Sequence, residues 1–215
     1  MKTLKNLFLD QLAEMYEAEQ HIAKALSWMT RLASDRELQG MLKVHASESL
    51  GHISKVAQVF RCFGEETVGS KSNAISGLLA EAEALVAQYE VSPARDAAIL
   101  SALQKLEHYE IATYGCLQDC ATVLNNRKAA ILLEEILGEE KSGNGRLTDL
   151  SHMRNEDALG ETEGEEEAEL VNSLTPTRPS SFHTSLPRTP TIRSCNCVTV
   201  LEAGGKALVS LEALS

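Results

Sequence analysis

The feature that most constrains the fold is a helical spacing of apolar side chains through residues 3–153. Side chains three and four positions apart share one face of an α-helix, so this spacing predicts long amphipathic helices. Proline interrupts helices, and Pro93 is the only proline before Pro176. This part of the chain is therefore predicted to be all-α.

The same spacing divides the region into five predicted helices, at about 3–32, 35–63, 74–89, 93–124 and 127–153. Gly64 is typical of a helix end, Ser92-Pro93 of a helix start, and Asn125-Asn126 of a turn. The short helix at about 74–89 lies in the long connection between the second and third of the four long helices. This arrangement indicates a ferritin-like four-helix bundle with a single crossover. A coiled-coil helix pair is the weaker alternative, because no strict heptad repeat persists.

The composition changes after residue 153. Residues 156–169 are rich in Glu, and residues 173–194 are rich in Ser, Thr, Pro and Arg. Such segments bury little apolar surface, so they do not offset the entropy lost on folding. We therefore predict a helical bundle domain at 1–153 and a disordered tail at 154–215. The tail includes a short apolar stretch at 198–201 that could pair as a strand, and a dithiol at Cys195 and Cys197.

The charge and the cysteines indicate a compartment and exclude some partners. The formal net charge of −11 disfavours binding to nucleic-acid phosphates and to anionic lipid. The first residues lead directly into a helix pattern that contains acids, so we expect no signal peptide. No stretch is long and apolar enough to span a bilayer. Five cysteines, an odd number, are typical of a reducing cytoplasm.

Acids and histidines interrupt the apolar faces of all four long predicted helices near their middles. They are Glu19 in the first helix, His45, Glu48 and His52 in the second, Glu107 and Glu110 in the fourth, and Glu140 in the last. A buried carboxylate without a partner is costly. Inward Glu and His side chains from four facing helices are how dinuclear carboxylate sites are built, and such donors suit iron or manganese.

Each interruption also has a simpler interpretation. A single inward Glu can lie at the edge of the apolar face and reach solvent. Tyr114 is expected in the core with its hydroxyl bonded to a carboxylate. Asn144 also interrupts the last stripe, and Glu139 would replace Glu140 if the helix register were shifted by one residue. Agreement across four helices favours the metal interpretation over these alternatives.

Several sequence runs resemble the YciE/YciF group of ferritin-like stress proteins. The most specific is EHYEIATYG at 107–115. Supporting matches are LFLDQL at 7–12, YEAEQ at 16–20, the segment 45–52, RDAA at 95–98, RKAA at 127–130 and LGEEK at 137–141. The resemblance covers about residues 1–152.

This resemblance implies a rubrerythrin-like four-helix fold with an extra helix, a homodimer and a dinuclear metal centre. The seven interrupting residues match positions of ligands or near-ligands, and the group is associated with bacterial stress responses. The chain departs from the group after Glu140-Lys141, where it has Ser142-Gly143-Asn144-Gly145 in place of the usual Ala-Thr-Asp. Asn144 thus replaces a carboxylate, and the paired glycines weaken the helix there.

Two principal hypotheses of function follow. The first is a metal-binding oxidoreductase or peroxide scavenger that acts on oxygen or peroxide. The alternative is a non-catalytic dimeric bundle whose polar core sets helix register. Iron storage is a third and weaker option, because it requires a closed shell of many subunits.

Overall fold

The computed structural model describes residues 1–174, with side chains through residue 159. Its helices are α1 (Leu4–Leu32), α2 (Arg36–Cys62), α3 (Asn73–Val86), α4 (Pro93–Val123) and α5 (Arg127–Leu174). Within this described range there is no strand. The predicted all-α fold, with a short helix inside the long crossover, is confirmed.

Local capping explains where the helices begin and end. Asp35 accepts a hydrogen bond from the Leu38 N–H at 2.8 Å and starts α2. Gly64 adopts a φ of 70°, a left-handed conformation that favours glycine, and ends α2 as the sequence predicted. Asn126 caps α5 by accepting from the Ala129 N–H at 3.2 Å.

Hydrogen bonds between distant segments show how the chain crosses the bundle. The Asn126 side chain donates to the Cys62 carbonyl at 2.8 Å, so α2 ends where α5 begins. At the opposite end, the Arg95 side chain donates to the Leu32 carbonyl at 2.6 Å, so α4 begins where α1 ends. Residues 63–92 therefore run the length of the bundle, and α3 within them packs on α4 and α1.

A buried carboxylate holds the start of α4 against the α1–α2 turn. Asp96 accepts hydrogen bonds from the Ser34 N–H at 2.8 Å, the Ser34 hydroxyl at 2.5 Å and the Asp35 N–H at 2.9 Å. Its side chain is only 2% exposed, so these donors satisfy it without water. This contact joins the two helical hairpins across the bundle end.

The predicted end of the last helix near residue 153 is wrong. α5 continues to Leu174, through Gly143 and Gly145 and into the acidic segment. Glu, Ala and Leu are strong helix formers, so their intrinsic propensity continues the helix in a segment that has little apolar surface to bury. The rest of the predicted tail, including Cys195, Cys197 and the stretch 198–201, lies outside the described residues.

The four long helices surround one apolar core. Each helix has neighbours on two sides, in the cyclic order α1, α2, α5 and α4. The inward line of α1 is fully buried as predicted, and it consists of Phe8, Leu12, Met15, Glu19, Ile22, Leu26 and Met29. None of the helices in the described part of the chain has the length and apolar character needed to cross a membrane.

Candidate metal centre

Six of the seven predicted site residues meet in the middle of the bundle. Each of the four long helices contributes at least one, and all are at most 7% exposed. They are Glu19 from α1, His45 and His52 from α2, Glu107 and Glu110 from α4, and Glu140 from α5.

The six residues form two overlapping groups, here called the cluster. One group contains Glu19, His52 and Glu140, and the other contains His45, Glu107, Glu110 and Glu140. Within each group, one nitrogen or oxygen atom from every residue lies within 4.8 Å of the others. Among the described residues Glu140 alone belongs to both groups, so its carboxylate joins them.

Many donor atoms in the cluster have no hydrogen-bond partner among the described residues. Both oxygens of Glu110 are buried and unpartnered. His52 Nδ1 lies 2.9 Å from Glu140 Oε1 and 3.3 Å from Glu19 Oε1, but neither pair has hydrogen-bond geometry. Buried groups in this state carry a desolvation cost unless something coordinates them. The donor set therefore fits cations such as iron or manganese.

The pKa values indicate how the cluster is protonated without metal. Burial, and then the charge of Glu140, raises the pKa of Glu107 to about 9. Burial also raises the pKa values of Glu19 and Glu110. Burial would lower the pKa of His52, but the carboxylates of Glu140 and Glu19 outweigh it and raise this pKa to about 10. Metal must therefore displace protons when it binds.

His45 differs from His52 in its electrostatic surroundings. Burial lowers the pKa of His45, although the charge of Glu140 partly opposes this effect. Its Nδ1 lies 3.3 Å from Glu107 Oε1, and its Nε2 is buried without a hydrogen-bond partner among the described residues. A neutral imidazole with a free ring nitrogen is the form in which histidine coordinates metals.

Glu139 orients His52 from outside the cluster. The His52 Nε2–H donates to Glu139 Oε2 at 2.8 Å, which leaves Nδ1 facing Glu19 and Glu140. Lys55 donates to the other Glu139 oxygen at 2.6 Å. Carboxylates that hold metal-bound histidines in this way select the tautomer and the ring orientation. Glu139 thus does not replace Glu140, but it bonds a cluster residue directly.

Glu139→Gln is expected to weaken metal binding by roughly 10- to 100-fold while leaving the number of ions unchanged, because only the orientation of His52 is lost. Glu135→Gln is the matched control, since Glu135 also lies near Lys55, at 3.8 Å, and has no contact with His52. Competition titration with a chromogenic chelator measures the affinity. Equal affinities for the two variants would contradict this role.

Tyr114 supports the cluster from α4. Its hydroxyl donates to Glu19 Oε1 at 2.5 Å, and the side chain is fully buried. The predicted bond between this hydroxyl and a carboxylate is confirmed. The other oxygen, Glu19 Oε2, stays buried without a partner in the described part of the chain, so Tyr114 restricts the carboxylate while leaving one oxygen for a ligand.

The predicted inward placement of Glu48 is wrong. Its side chain is 29% exposed and lies 3.4 Å from Arg146, and Ser49 takes the inward position instead. From His45, the next inward residue can be three or four positions along, and in α2 it is four. Ser49 is fully buried and its hydroxyl has no partner among the described residues, but a serine on an apolar helix face is not a signal that sequence reasoning detects.

A similar shift by one residue occurs in α5. The sequence predicted Asn144 on the inward line; Gly143 is buried there, and Asn144 beside it is half-buried, with its Oδ1 buried and without a hydrogen-bond partner among the described residues. A Cβ at Gly143 would lie 3.2 Å from Glu107 Oε1, so the missing side chain makes room for that carboxylate. The helix remains continuous here despite the two glycines.

Comparison with known proteins agrees with this fold. The family model described as "Domain of unknown function (DUF892)" matches residues 3–159. Protein YciF of Escherichia coli (strain K12) is 39% identical over 152 residues, which are 70% of this chain and 92% of that protein.

Solved structures show the same relationship. The crystal structure of the E. coli stress protein YciF matches with a TM-score of 0.70 and 38% identity, over 73% of this chain and 99% of that one. A ferritin-like, diiron-carboxylate protein from Bacillus anthracis shares the fold at 17% identity, with a TM-score of 0.55 over 70% of this chain and 99% of that one. The chain therefore belongs to the DUF892 family, is a relative of YciF and has a ferritin-like fold.

Proposed function

We propose that each of the two groups, which share Glu140, would hold an iron or manganese ion, and that the protein is an oxidoreductase acting on oxygen or peroxide. The observation that supports this most strongly is Glu110, whose carboxyl group is fully buried with neither oxygen bonded to a described residue. A polar core kept only for helix register would satisfy its groups with one another. The Bacillus anthracis protein that shares this fold is a diiron-carboxylate protein, which is consistent with the proposal.

The two groups would hold one ion each. Glu19 and His52 would bind the first ion, and His45, Glu107 and Glu110 the second, with Glu140 between them. Bound iron or manganese would supply one-electron redox chemistry toward oxygen or peroxide. Glu139 and Tyr114 hold His52 and Glu19 in position.

Anaerobic titration with Fe(II) or Mn(II), followed by elemental analysis, tests the proposal directly. We expect the protein purified without chelator to reach about two ions per chain, because each group supplies at least three ligands. Consumption of peroxide by the loaded protein tests the activity. Failure to take up either metal would contradict the metal site, and loading without peroxide or oxygen consumption would contradict the enzyme.

The alternative function, a non-catalytic dimeric bundle with a structural polar core, predicts different results. Under that alternative, Glu107→Ala lowers the melting temperature equally with and without metal. Under our proposal, metal stabilises the unmutated protein far more than the variant, because ligands stabilise the state that binds them. Both proposed functions include a homodimer, and sedimentation equilibrium measures the mass of the assembly.

Metal-free protein is expected to lose stability as the pH rises toward 9. The folded-state pKa of Glu107, about 9, lies above its usual 4.5. A group whose pKa is raised in the folded state stabilises the protein fully below its unfolded-state pKa. This stabilisation is lost as the pH rises through its folded-state pKa. His52, with a pKa raised to about 10 from 6.5, acts in the same direction.

Thermal unfolding of chelator-treated protein across this pH range measures the effect. We expect the melting temperature to fall as the pH rises, and added metal to oppose the fall, since metal holds the carboxylates in their charged form. The Glu107→Gln variant is the control, because it removes one of the groups whose pKa is raised and should reduce the slope. A melting temperature that rises with pH in metal-free protein would contradict this protonation scheme.

A further inference from the structure

A pocket of about 400 Å³ opens between α2, α4 and α5 beside the cluster. His45 and Glu107 line it, and both are nearly fully buried, so they form its inner end. The pocket therefore connects the surface with the group that contains His45, Glu107, Glu110 and Glu140. Its volume lies within the range of small-molecule binding sites.

The walls of this pocket are apolar and belong to all three helices. Met41, Leu42 and Val44 come from α2, Leu103 from α4 and Leu147 from α5. Val44 is 52% exposed, so part of this wall is open to solvent. A ligand that covered these side chains would remove apolar surface from water and so gain binding free energy.

The charged residues at the rim are already paired with one another or with neighbours. Arg146 lies 3.4 Å from Glu48, and Arg154 lies 3.2 Å from Glu37. The carboxylates of Glu37 and Glu48 oppose an anionic ligand, and the guanidinium groups of Arg146 and Arg154 oppose a cationic one. The rim thus favours a ligand without charge.

Two glycines line the pocket. Gly40 lines its outer part, and a Cβ built there would meet no atom within 4 Å. Gly143 lines it beside Glu107. Neither residue places a side chain in the pocket.

We propose that this pocket binds a small, uncharged, largely apolar molecule, with one end against His45 and Glu107. The inference deepens the proposed function by naming the class of substrate that the metal centre would meet, and in that respect it rests on the proposed function. Binding of the molecule itself depends on the pocket walls and does not require metal.

The test uses N-phenyl-1-naphthylamine, an uncharged dye whose fluorescence increases in apolar surroundings. Titration of the full, metal-free chain is expected to show saturable binding at one site. Gly40→Leu should weaken it by at least about tenfold, because the new side chain extends into the pocket. This substitution also raises helix propensity, so lost binding would not reflect unfolding.

Gly51→Leu is the matched control. Gly51 also lies exposed on α2 with open space around its Cβ, but it does not line the pocket. We expect Gly51→Leu to bind the dye as the unmutated chain does. Equal binding by both variants, or no saturable binding by the unmutated chain, would overturn the proposal.

Sedimentation of the Gly40→Leu variant separates the pocket from a contact between two copies of the chain. Weaker dye binding at an unchanged mass supports the proposal. A changed mass would overturn it and assign this face to an interface between copies. Metal uptake is measured separately, so a chain that binds metal without dye contradicts only the pocket, and one that binds dye without metal contradicts only the metal centre.

Discussion

Glu140→Gln is expected to abolish the binding of both metal ions. Glu140 is the one described residue that belongs to both donor groups, so the substitution removes a charged ligand from each. Its carboxylate also lies 2.9 Å from His52 Nδ1 and 4.0 Å from His45 Nε2. Loss of an outer partner of a metal ligand already costs roughly 10- to 100-fold in affinity, so we expect a loss of more than about 100-fold here.

Elemental analysis after anaerobic loading measures this effect, and circular dichroism verifies that the variant is folded. Glu134→Gln is the control, because Glu134 is an exposed acid on the same helix. It removes the same charge from the chain and should leave metal uptake unchanged. Retention of both ions by Glu140→Gln would mean that the two groups do not share this ligand, and it would contradict the proposed dinuclear centre.

Asp96→Ala is expected to lower the free energy of unfolding by about 3 kcal/mol, because it leaves three donors at the α1–α2 turn without their acceptor. Hydrogen bonds to a charged group are stronger than those between neutral groups, and Asp96 is buried. The substitution also removes the link that holds the start of α4 to this turn.

Urea denaturation of metal-free protein measures this loss of stability. Asp119→Ala is the control on the same helix, since Asp119 is exposed and should change the free energy of unfolding by less than about 0.5 kcal/mol. Metal stoichiometry should stay unchanged in both variants, because Asp96 lies at the bundle end. Equal stability of the two variants would show that the turn does not depend on the carboxylate.

Much of the cluster was predictable because helical periodicity relates each polar residue to its own helix. Glu19, Glu107, Glu110 and Glu140 each continue an apolar line, and all four are buried. The family resemblance pointed to the same positions. The errors share one cause, which is that three- and four-residue steps are equally compatible with a helix face.

That ambiguity explains why Glu48 is misplaced and why Gly143 shares the inward line with Asn144. A step of four from His45 leads to Ser49, and a step of three leads to Glu48, so a metal-site pattern favours the carboxylate although Ser49 is the buried residue. In α5 a step of three from Glu140 leads to the buried Gly143, and a step of four leads to the half-buried Asn144. Only the packing of neighbouring helices selects between such steps, because the true period of about 3.6 lies between them.

Local interactions along the chain therefore account for the number of helices, their starts at capping residues, and the inward direction of most cluster residues. Local interactions do not determine which of these residues come together. Glu19 and Tyr114, for example, are 95 positions apart and yet share a hydrogen bond. Three further features likewise depend on distances between helices. They are the position of Glu140 between two groups, the hydrogen bond from His52 to Glu139 and the pocket beside His45. Periodicity specifies which face of a helix a residue occupies, but only tertiary packing sets how far one helix is displaced along another, and this displacement decides which atoms meet.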